Sequence, residues 1–186
     1  ILNDDTLKYT GSGVFDDRRA ESTLSRFSAH LGKPVGLSHH LQGGVDFNRE
    51  TLEQIKDGAS ELGAESRRQR ESQEAWVQDT WMPTKHLELV PGVRFQNDSD
   101  FGTHTAPKIN ARYELVRTDS LTGFLRAGVG AGYRVPNLKE RYFTFDHSQL
   151  GYIVQGTPDL QPEESVSYQF GGGLSWNRSV WLEANA

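Results

Sequence analysis

Alternation of apolar and polar residues with a period of two runs through most of this chain and constrains its fold more than any other feature. In one run, one face carries Leu37, His39, Leu41, Gly43, Val45 and Phe47, and the other carries Ser38, His40, Gln42, Gly44, Asp46 and Asn48. Successive side chains of a strand point to opposite faces, so the pattern predicts strands with one apolar and one polar face. Similar runs recur within 23–31, 75–82, 87–96, 108–115, 125–134 and 165–176. We therefore expect an all-β chain of about eight antiparallel strands.

The connections between these runs alternate between short and long. Short turns are predicted at 32–36, 83–86, 118–122 and 177–178, and long loops over 49–72, over 98–106 and between Tyr133 and Glu163. A transmembrane β-barrel has this asymmetry, with short periplasmic turns and long extracellular loops. Strands of about ten residues also suit a tilted crossing of the apolar layer. The pattern favours an antiparallel transmembrane barrel over the alternative, a soluble β-sandwich.

Charge and aromatic placement add two narrower expectations. The stretch 49–72 is highly charged and nearly free of large apolar side chains, so we expect a solvated loop with at most a short helix over 51–55. Aromatic residues near strand ends are typical of the two interfacial girdles of a membrane barrel. The expected girdle residues are Trp81, Phe124, Trp176 and Trp181 beside the short turns, and Phe95 and Tyr133 toward the long loops.

Composition argues against several classes of function. The net charge of −5 is unlike a nucleic-acid-binding surface, which needs clustered Lys and Arg. The sequence has no paired acids with catalytic spacing, no nucleophile elbow and no Gly-rich phosphate loop, so neither an enzyme nor a resident cofactor is expected. The chain opens without an initiator methionine and stops inside a predicted strand, so we expect an internal piece of a longer protein.

The segment from Tyr133 to Glu163, called here the signature segment, carries two motifs. One is similar to a Phe-Arg-Ala-Pro box and consists of Tyr133, Arg134, Val135 and Pro136, followed by Asn137. The other is similar to an Asn-Pro-Asn-Leu-x-Pro-Glu box and consists of Thr157, Pro158, Asp159, Leu160, Gln161, Pro162 and Glu163. Together with the strands before them, these boxes resemble the barrel of TonB-dependent outer-membrane receptors. The chain departs from the pattern at Val135, where Ala is usual, and at Thr157, where Asn is usual.

The resemblance implies a barrel of about 22 strands, plugged by an N-terminal domain, in the bacterial outer membrane. Such receptors import a scarce ligand with energy relayed through TonB. Residues 1–186 would be a C-terminal part of the barrel domain, and the plug and the TonB-contacting part would lie outside this chain. The implied partners are the ligand, outer-membrane lipid and TonB, with no nucleic acid. An unplugged porin or an unplugged barrel enzyme remains an alternative.

The resemblance implies that the ligand is a ferric siderophore, the usual cargo of such receptors. Haem and cobalamin are carried by smaller classes of these receptors. Within the signature segment, an aromatic and cationic surface for an anionic catecholate is offered by Arg141, Tyr142, Phe143, Phe145 and Tyr152. The same side chains are equally suited to packing the loop against its neighbours.

A histidine between the two boxes bears on the haem alternative. In haem receptors of this family, a histidine placed like His147 resembles an axial iron ligand, although it could also only pack within the loop. The adjacent His39 and His40 point to opposite faces of a strand and cannot share a metal. The sequence therefore predicts no firm metal site.

Overall fold

The computed structural model of the protein describes residues 18–62, 65–148, 151–177 and 179–186. One short helix, α1 (Leu138–Tyr142), lies among strands. The strands are β1 (Arg18–Val35), β2 (His39–Lys56), β3 (Ala59–Ser60), β4 (Arg67–Trp81), β5 (Leu87–Asp98), β6 (Gly102–Arg117), β7 (Leu121–Arg134), β8 (Thr144–His147), β9 (Tyr152–Gln155), β10 (Glu163–Trp176) and β11 (Val180–Asn185).

The strands form one large antiparallel sheet and one small hairpin. Eight strands of the large sheet follow the order β1-β2-β4-β5-β6-β7-β10-β11, and β3 pairs with β2 outside that path. The hairpin consists of β8 and β9. Neighbours in the large sheet are also neighbours along the chain, apart from the excursion between β7 and β10. The predicted all-β, antiparallel fold of about eight strands is confirmed.

The sheet has two unlike ends. At one, the turn end, short connections join β1 to β2, β4 to β5, β6 to β7 and β10 to β11. At the other, the loop end, lie the described residues of the segments 57–66, 99–101 and 135–162. The predicted turn at 32–36 is wrong by a few residues, because β1 continues to Val35 and the chain reverses at Gly36, whose φ is 64°.

The stretch 49–72 is not the solvated loop that its charge predicts. β2 runs through Lys56 and β4 starts at Arg67, so most of the stretch is paired strand. Opposite charges face each other across the two strands, as in the Arg49–Glu71 pair at 2.6 Å. Cross-strand ion pairs of this kind stabilise a ladder that has left the apolar layer and faces water. The highly charged stretch is therefore where β2 and β4 continue beyond the apolar layer.

The stretch 98–106 is also shorter as a loop than predicted. β6 begins at Gly102, so only residues 99–101 make the turn. Asp98 Oδ1 accepts a hydrogen bond from the Asp100 N–H at 3.0 Å, and Gly102 has a φ of 76°. A side-chain cap and a left-handed glycine are what a tight reversal requires.

The two faces of the large sheet differ as the alternation predicts. One face stays exposed although it is apolar, with side chains that include Phe27, Leu31, Leu41, Val45, Phe47, Val77, Phe95, Ile109, Val129, Tyr168 and Phe170. The other face carries polar ladders: Arg26 donates to Asn48 at 2.6 Å and Gln78 donates to Gln42 at 2.8 Å. An apolar face open to its surroundings beside a polar face is the arrangement of a membrane barrel wall.

Two of the expected girdle aromatics, Phe124 and Trp181, lie on the polar face, and a third, Tyr133, packs against a neighbouring strand. Phe124 is only 8% exposed and lies two residues from Arg126, on the same polar face of β7. Its ring centroid is 5.9 Å from that of Trp181. Tyr133 stacks on His104 with ring centroids 3.6 Å apart, and its hydroxyl is buried. The side chains that do lie on the apolar face near its edges are Trp81, Trp176 and Phe95.

The glycine run in β10 makes room for side chains on the polar face. A Cβ at Gly173 would come within 2.8 Å of the Phe124 ring, and one at Gly171 would collide with Asn185. Across this gap, Arg126 reaches Glu183 on β11. The glycines of this face therefore permit close approach of neighbouring side chains.

Candidate functional site

The described residues of the signature segment form a cap at the loop end, where the sequence predicts a long loop. It contains α1 and the β8–β9 hairpin. A small buried cluster of Leu52, Leu62 and Leu138, with Tyr142 packed against it, lies between the segment and the extended β2–β4 hairpin. This is the buried hydrophobic cluster among the described residues, and it supports α1.

The two family boxes meet around the helix. Asn137 caps α1: its side chain accepts from the Glu140 N–H at 2.8 Å, and the Glu140 carboxylate accepts from the Asn137 N–H at 2.8 Å. Arg134 pairs with Glu140 and also with Glu163 of the second box, the latter at 3.2 Å. The Thr157 N–H donates to the Glu140 carbonyl at 3.0 Å. The boxes thus clamp α1 from both sides.

The capping carboxylate keeps its charge at neutral pH. The hydrogen bond from the Asn137 N–H holds the pKa of Glu140 below its ordinary value of 4.5, and Arg134 acts in the same direction. A lowered pKa in the folded state gives stability that is present above the ordinary pKa and is lost as pH falls through the lowered one. The clamp should therefore persist across neutral pH and weaken only under acidic conditions below 4.5.

Arg70 of β4 ties the signature segment to the wall of the sheet. Its guanidinium donates to the Pro136 carbonyl at 2.6 Å and to Glu50 at 2.9 Å, and lies 3.8 Å from Asp98. The other oxygen of Glu50 accepts from the Leu138 N–H at 3.2 Å. Arg70 and Glu50 are mostly buried, with side chains 15% and 13% exposed. One mostly buried cation therefore pairs with two carboxylates beneath the first turn of α1.

A second tie holds the β8–β9 hairpin. Gln54, fully buried, donates to the Thr144 carbonyl and accepts from the Thr144 N–H at 3.3 Å. Gln54 also donates to Glu61 at 2.6 Å, and Arg18 donates to the same carboxylate at 2.7 Å. The Arg18 guanidinium in turn lies 5.0 Å from the Phe145 ring centre. The hairpin is therefore fixed to β1 and β2 by polar contacts.

Two of the predicted ligand residues are used within the cap. Arg141 pairs with Asp100 and donates to the Pro158 carbonyl at 3.2 Å, with its side chain only 11% exposed. The guanidinium groups of Arg68 and Arg141 lie 4.7 and 4.8 Å from the centre of the Tyr142 ring. Both side chains therefore act as supports of the cap in this structure.

Three further predicted ligand residues form an aromatic row, with Phe143 at the end of α1 and Phe145 and Tyr152 on the β8–β9 hairpin. Phe143 and Phe145 stack with ring centroids 6.4 Å apart, and Phe145 lies 6.3 Å from Tyr152. Tyr152 is 48% exposed and is followed by the exposed Ile153. The backbone of His147 pairs with Tyr152, but its side chain lies outside the described part of the structure.

Close contact at Gly156 makes a testable prediction about the cap. A Cβ at Gly156 would lie 2.6–2.8 Å from backbone atoms of Arg141 and Tyr142, and the Gly156 N–H donates to the Phe143 carbonyl at 2.7 Å. We expect Gly156→Ala to destabilise the cap by about 1–3 kcal/mol, because backbone must move. Hydrogen exchange of α1 amides measures this. Gly151→Ala is the control: among the described residues, no atom beyond its chain neighbours lies within 4 Å of the added Cβ, so only its φ of 87° opposes the change and α1 should be unaffected.

Sequence reasoning missed the residues that hold the cap. Glu50, Gln54 and Arg70 lie in the stretch 49–72, for which the charge pattern predicts a solvated loop. The available signal was the period-two recurrence of Glu50, Leu52 and Gln54, which continues the polar face of β2. Within the ranges that the structure describes, no group of three or more His, Cys, Asp or Glu side chains is placed to hold a metal ion. No helix in the described part of the chain is long and apolar enough to cross a membrane.

Comparison with known proteins gives a consistent result. Residues 2–186 match the family described as TonB dependent receptor-like, beta-barrel. The iron-regulated outer membrane virulence protein of Vibrio cholerae serotype O1 is 29% identical over 157 residues, which are 80% of this chain and 23% of that protein. The ferric enterobactin receptor PirA of Pseudomonas aeruginosa is 24% identical over 183 residues, covering 84% and 24%.

Solved structures share the fold. The siderophore receptor PirA from Pseudomonas aeruginosa matches 86% of this chain and 30% of its own, at 24% identity with a TM-score of 0.69. The ferric enterobactin receptor PfeA from the same organism, solved with enterobactin, matches 87% and 26%, at 19% identity with a TM-score of 0.62. The chain spans about a quarter of the length of the curated relatives it matches. It belongs to the TonB-dependent receptor-like β-barrel family and forms part of the wall of an outer-membrane barrel.

Proposed function

We propose that this chain is part of a receptor that imports a ferric siderophore through the outer membrane, driven through TonB, with a plug domain supplied by another part of the protein. In that arrangement the loop end faces the outside of the cell and the turn end faces the periplasm. The names of the relatives support an iron-related cargo, since they include a ferric enterobactin receptor and an iron-regulated outer membrane protein. The protein would be a transporter and not an enzyme.

The aromatic row of the cap is the observation that carries the proposal. The Phe145 ring lies within stacking distance of both Phe143 and Tyr152, on a cap that Arg70 and Gln54 fix to the sheet. Catecholate ligands present flat aromatic rings, which stack favourably on aromatic side chains. A rigid support also lowers the entropic cost of binding. Arg141 contributes by holding the cap, since its guanidinium is occupied by Asp100.

Removing the exposed aromatic ring tests this assignment. We expect Tyr152→Ala in the full-length receptor to weaken binding of a ferric catecholate about tenfold, because one stacking partner is lost. Quenching of tryptophan fluorescence by the ferric complex measures the affinity. Tyr168→Ala is the matched control, since Tyr168 is 77% exposed but lies on the apolar face of β10. Equal affinities of wild type and Tyr152→Ala would contradict the assignment.

A haem receptor is the second candidate, because the backbone of His147 pairs with Tyr152 at the end of the same aromatic row. Neutral imidazole is a common axial ligand of haem iron. Titration of the full-length receptor with haem, followed in the Soret band, distinguishes the two cargoes. A spectral change that His147→Ala abolishes would favour haem. Tight binding of ferric catecholate with no His147-dependent Soret change would favour the siderophore.

A further inference from the structure

A polar cluster lies on the membrane-facing side of the sheet at the turn end. His39 begins β2, and its register partner on β4 is Trp81. Asp79 is two residues before Trp81 and so shares its face, which also carries Leu41 and Val77. Charged side chains on the lipid-facing side of a barrel are costly at mid-depth and become tolerable only near the interface. A histidine and a carboxylate at this edge of the apolar band therefore call for an explanation.

The three side chains form a single built unit. His39 Nδ1 lies 2.6 Å from Asp79 Oδ2, and the imidazole stacks on Trp81 with ring centroids 5.8 Å apart and planes within 6°. A carboxylate oxygen at that distance accepts the hydrogen bond, so the proton lies on Nδ1. This contact fixes the orientation of the ring, and its other nitrogen, Nε2, is left for a further partner. The His39 side chain is 42% exposed.

A cation stands beside this unit on the neighbouring strand. In the β1–β2 register, Val35 faces His39 and Lys33 faces Leu41, so Lys33 is the diagonal neighbour of His39 on the same face. Diagonal neighbours of this kind are within reach of long side chains. Lys33 is exposed and forms no ion pair within the described residues. The exposed Leu31 continues the apolar face beyond Lys33 toward mid-membrane.

We propose that Lys33 and His39 bind the phosphate of a phospholipid headgroup in the periplasmic leaflet of the outer membrane. Lys33 supplies an ammonium group and His39 donates through Nε2, while Asp79 holds the imidazole in position. Leu31 and Leu41 lie deeper on the same face, where the acyl chains of that lipid would pack.

The location on the sheet argues for a lipid as the occupant. The cluster lies on the apolar face of the sheet, which contacts the bilayer. It is at the turn end, which faces the periplasm. A phosphate at this depth belongs to the lipids that surround the barrel, and basic side chains at the interface attract it. A lysine with no bound lipid would also extend toward the interface, so the position of Lys33 alone does not identify a lipid site. Retention of a specific lipid distinguishes the two cases.

Native mass spectrometry of the full-length receptor tests the proposal. The receptor is purified in a mild detergent and titrated with phosphatidylethanolamine or with diacylglycerol of the same acyl chains. We expect one phosphatidylethanolamine to be retained and diacylglycerol not to be. Lys33→Gln and His39→Gln should each weaken retention about fivefold, and the double variant more strongly. Lys85→Gln, which removes the same charge from the exposed connection between β4 and β5, should leave retention within about twofold of wild type.

The lipid-retention measurements either support or overturn the proposed phospholipid site. Unchanged retention in the double variant, an equal loss in Lys85→Gln, or equal retention of diacylglycerol would overturn the proposal. Heat-modifiable migration in gels shows whether each variant is folded. If His39→Gln fails to fold, Lys33→Gln still decides, because Lys33 is exposed and unpaired among the described residues. The ferric catecholate affinity serves as a separate readout that none of these changes should move.

Discussion

Replacing Arg70 with Gln is expected to destabilise the cap by about 3–5 kcal/mol, the usual cost of removing one partner from a buried ion pair. Arg70 is the cation between Glu50 and Asp98, and it also binds the Pro136 carbonyl. Without it, two carboxylates lie close together with little access to water. Repulsion between them would push α1 away from the wall of the sheet.

A neighbouring pair provides the control for this prediction. Arg49 and Glu71 occupy the next register position on the opposite face, with side chains 60% and 44% exposed. An exposed pair contributes only about 0–1 kcal/mol, so Arg49→Gln should be nearly neutral. Hydrogen exchange of residues 136–145 in the full-length receptor measures both variants. Similar protection in Arg70→Gln and Arg49→Gln would contradict the role given to Arg70.

Truncating Leu138 to Ala should cost about 2–5 kcal/mol of cap stability, as large-to-small changes in a packed core do. Leu138 is fully buried against Leu52 and Leu62, which come from β2 and the connection after it. The cluster is small, so the remaining side chains cannot close the cavity without moving α1. The aromatic row would then lose its fixed position, and affinity for a ferric catecholate should fall together with cap stability.

Leu160 in the second box provides a control that has the same side chain but is less buried. It is also a leucine of the signature segment, but it is 37% exposed, so Leu160→Ala should cost less than about 1 kcal/mol. Hydrogen exchange and catecholate affinity measured on both variants make the comparison. If Leu138→Ala binds the ligand as tightly as Leu160→Ala, then the cap does not position the ligand-binding surface.

The alternation of apolar and polar side chains was sufficient to predict the sheet. A strand with one apolar and one polar face has to turn the apolar face toward the apolar surroundings, and this fixes the orientation of every side chain along it. It located Phe47 on the apolar face and Asn48 on the polar face, as the structure has them. It could not show where strands end beyond the membrane. Past Phe47 the outward face of β2 becomes charged, and a solvated strand has the same composition as a loop until its partner is known.

The cap was harder to predict because its contacts join residues far apart in sequence. The bond from Arg70 to the Pro136 carbonyl and the bonds of Gln54 with Thr144 depend on how β2 and β4 extend above the sheet. Arg141 illustrates the consequence. A cation among aromatic residues suggested a ligand contact, whereas Asp100, which binds it, comes from a turn that the sequence showed only as part of a longer loop.

Uptake of iron by living cells tests the central claim most directly. The full-length receptor is expressed in a bacterial strain that lacks its own siderophore receptors, and radioactive iron is supplied as a ferric catecholate. We predict accumulation that requires both the receptor and TonB, and that falls when Tyr152 is replaced by Ala. Accumulation that is independent of TonB, or binding of haem with no uptake of the ferric catecholate, would contradict the account.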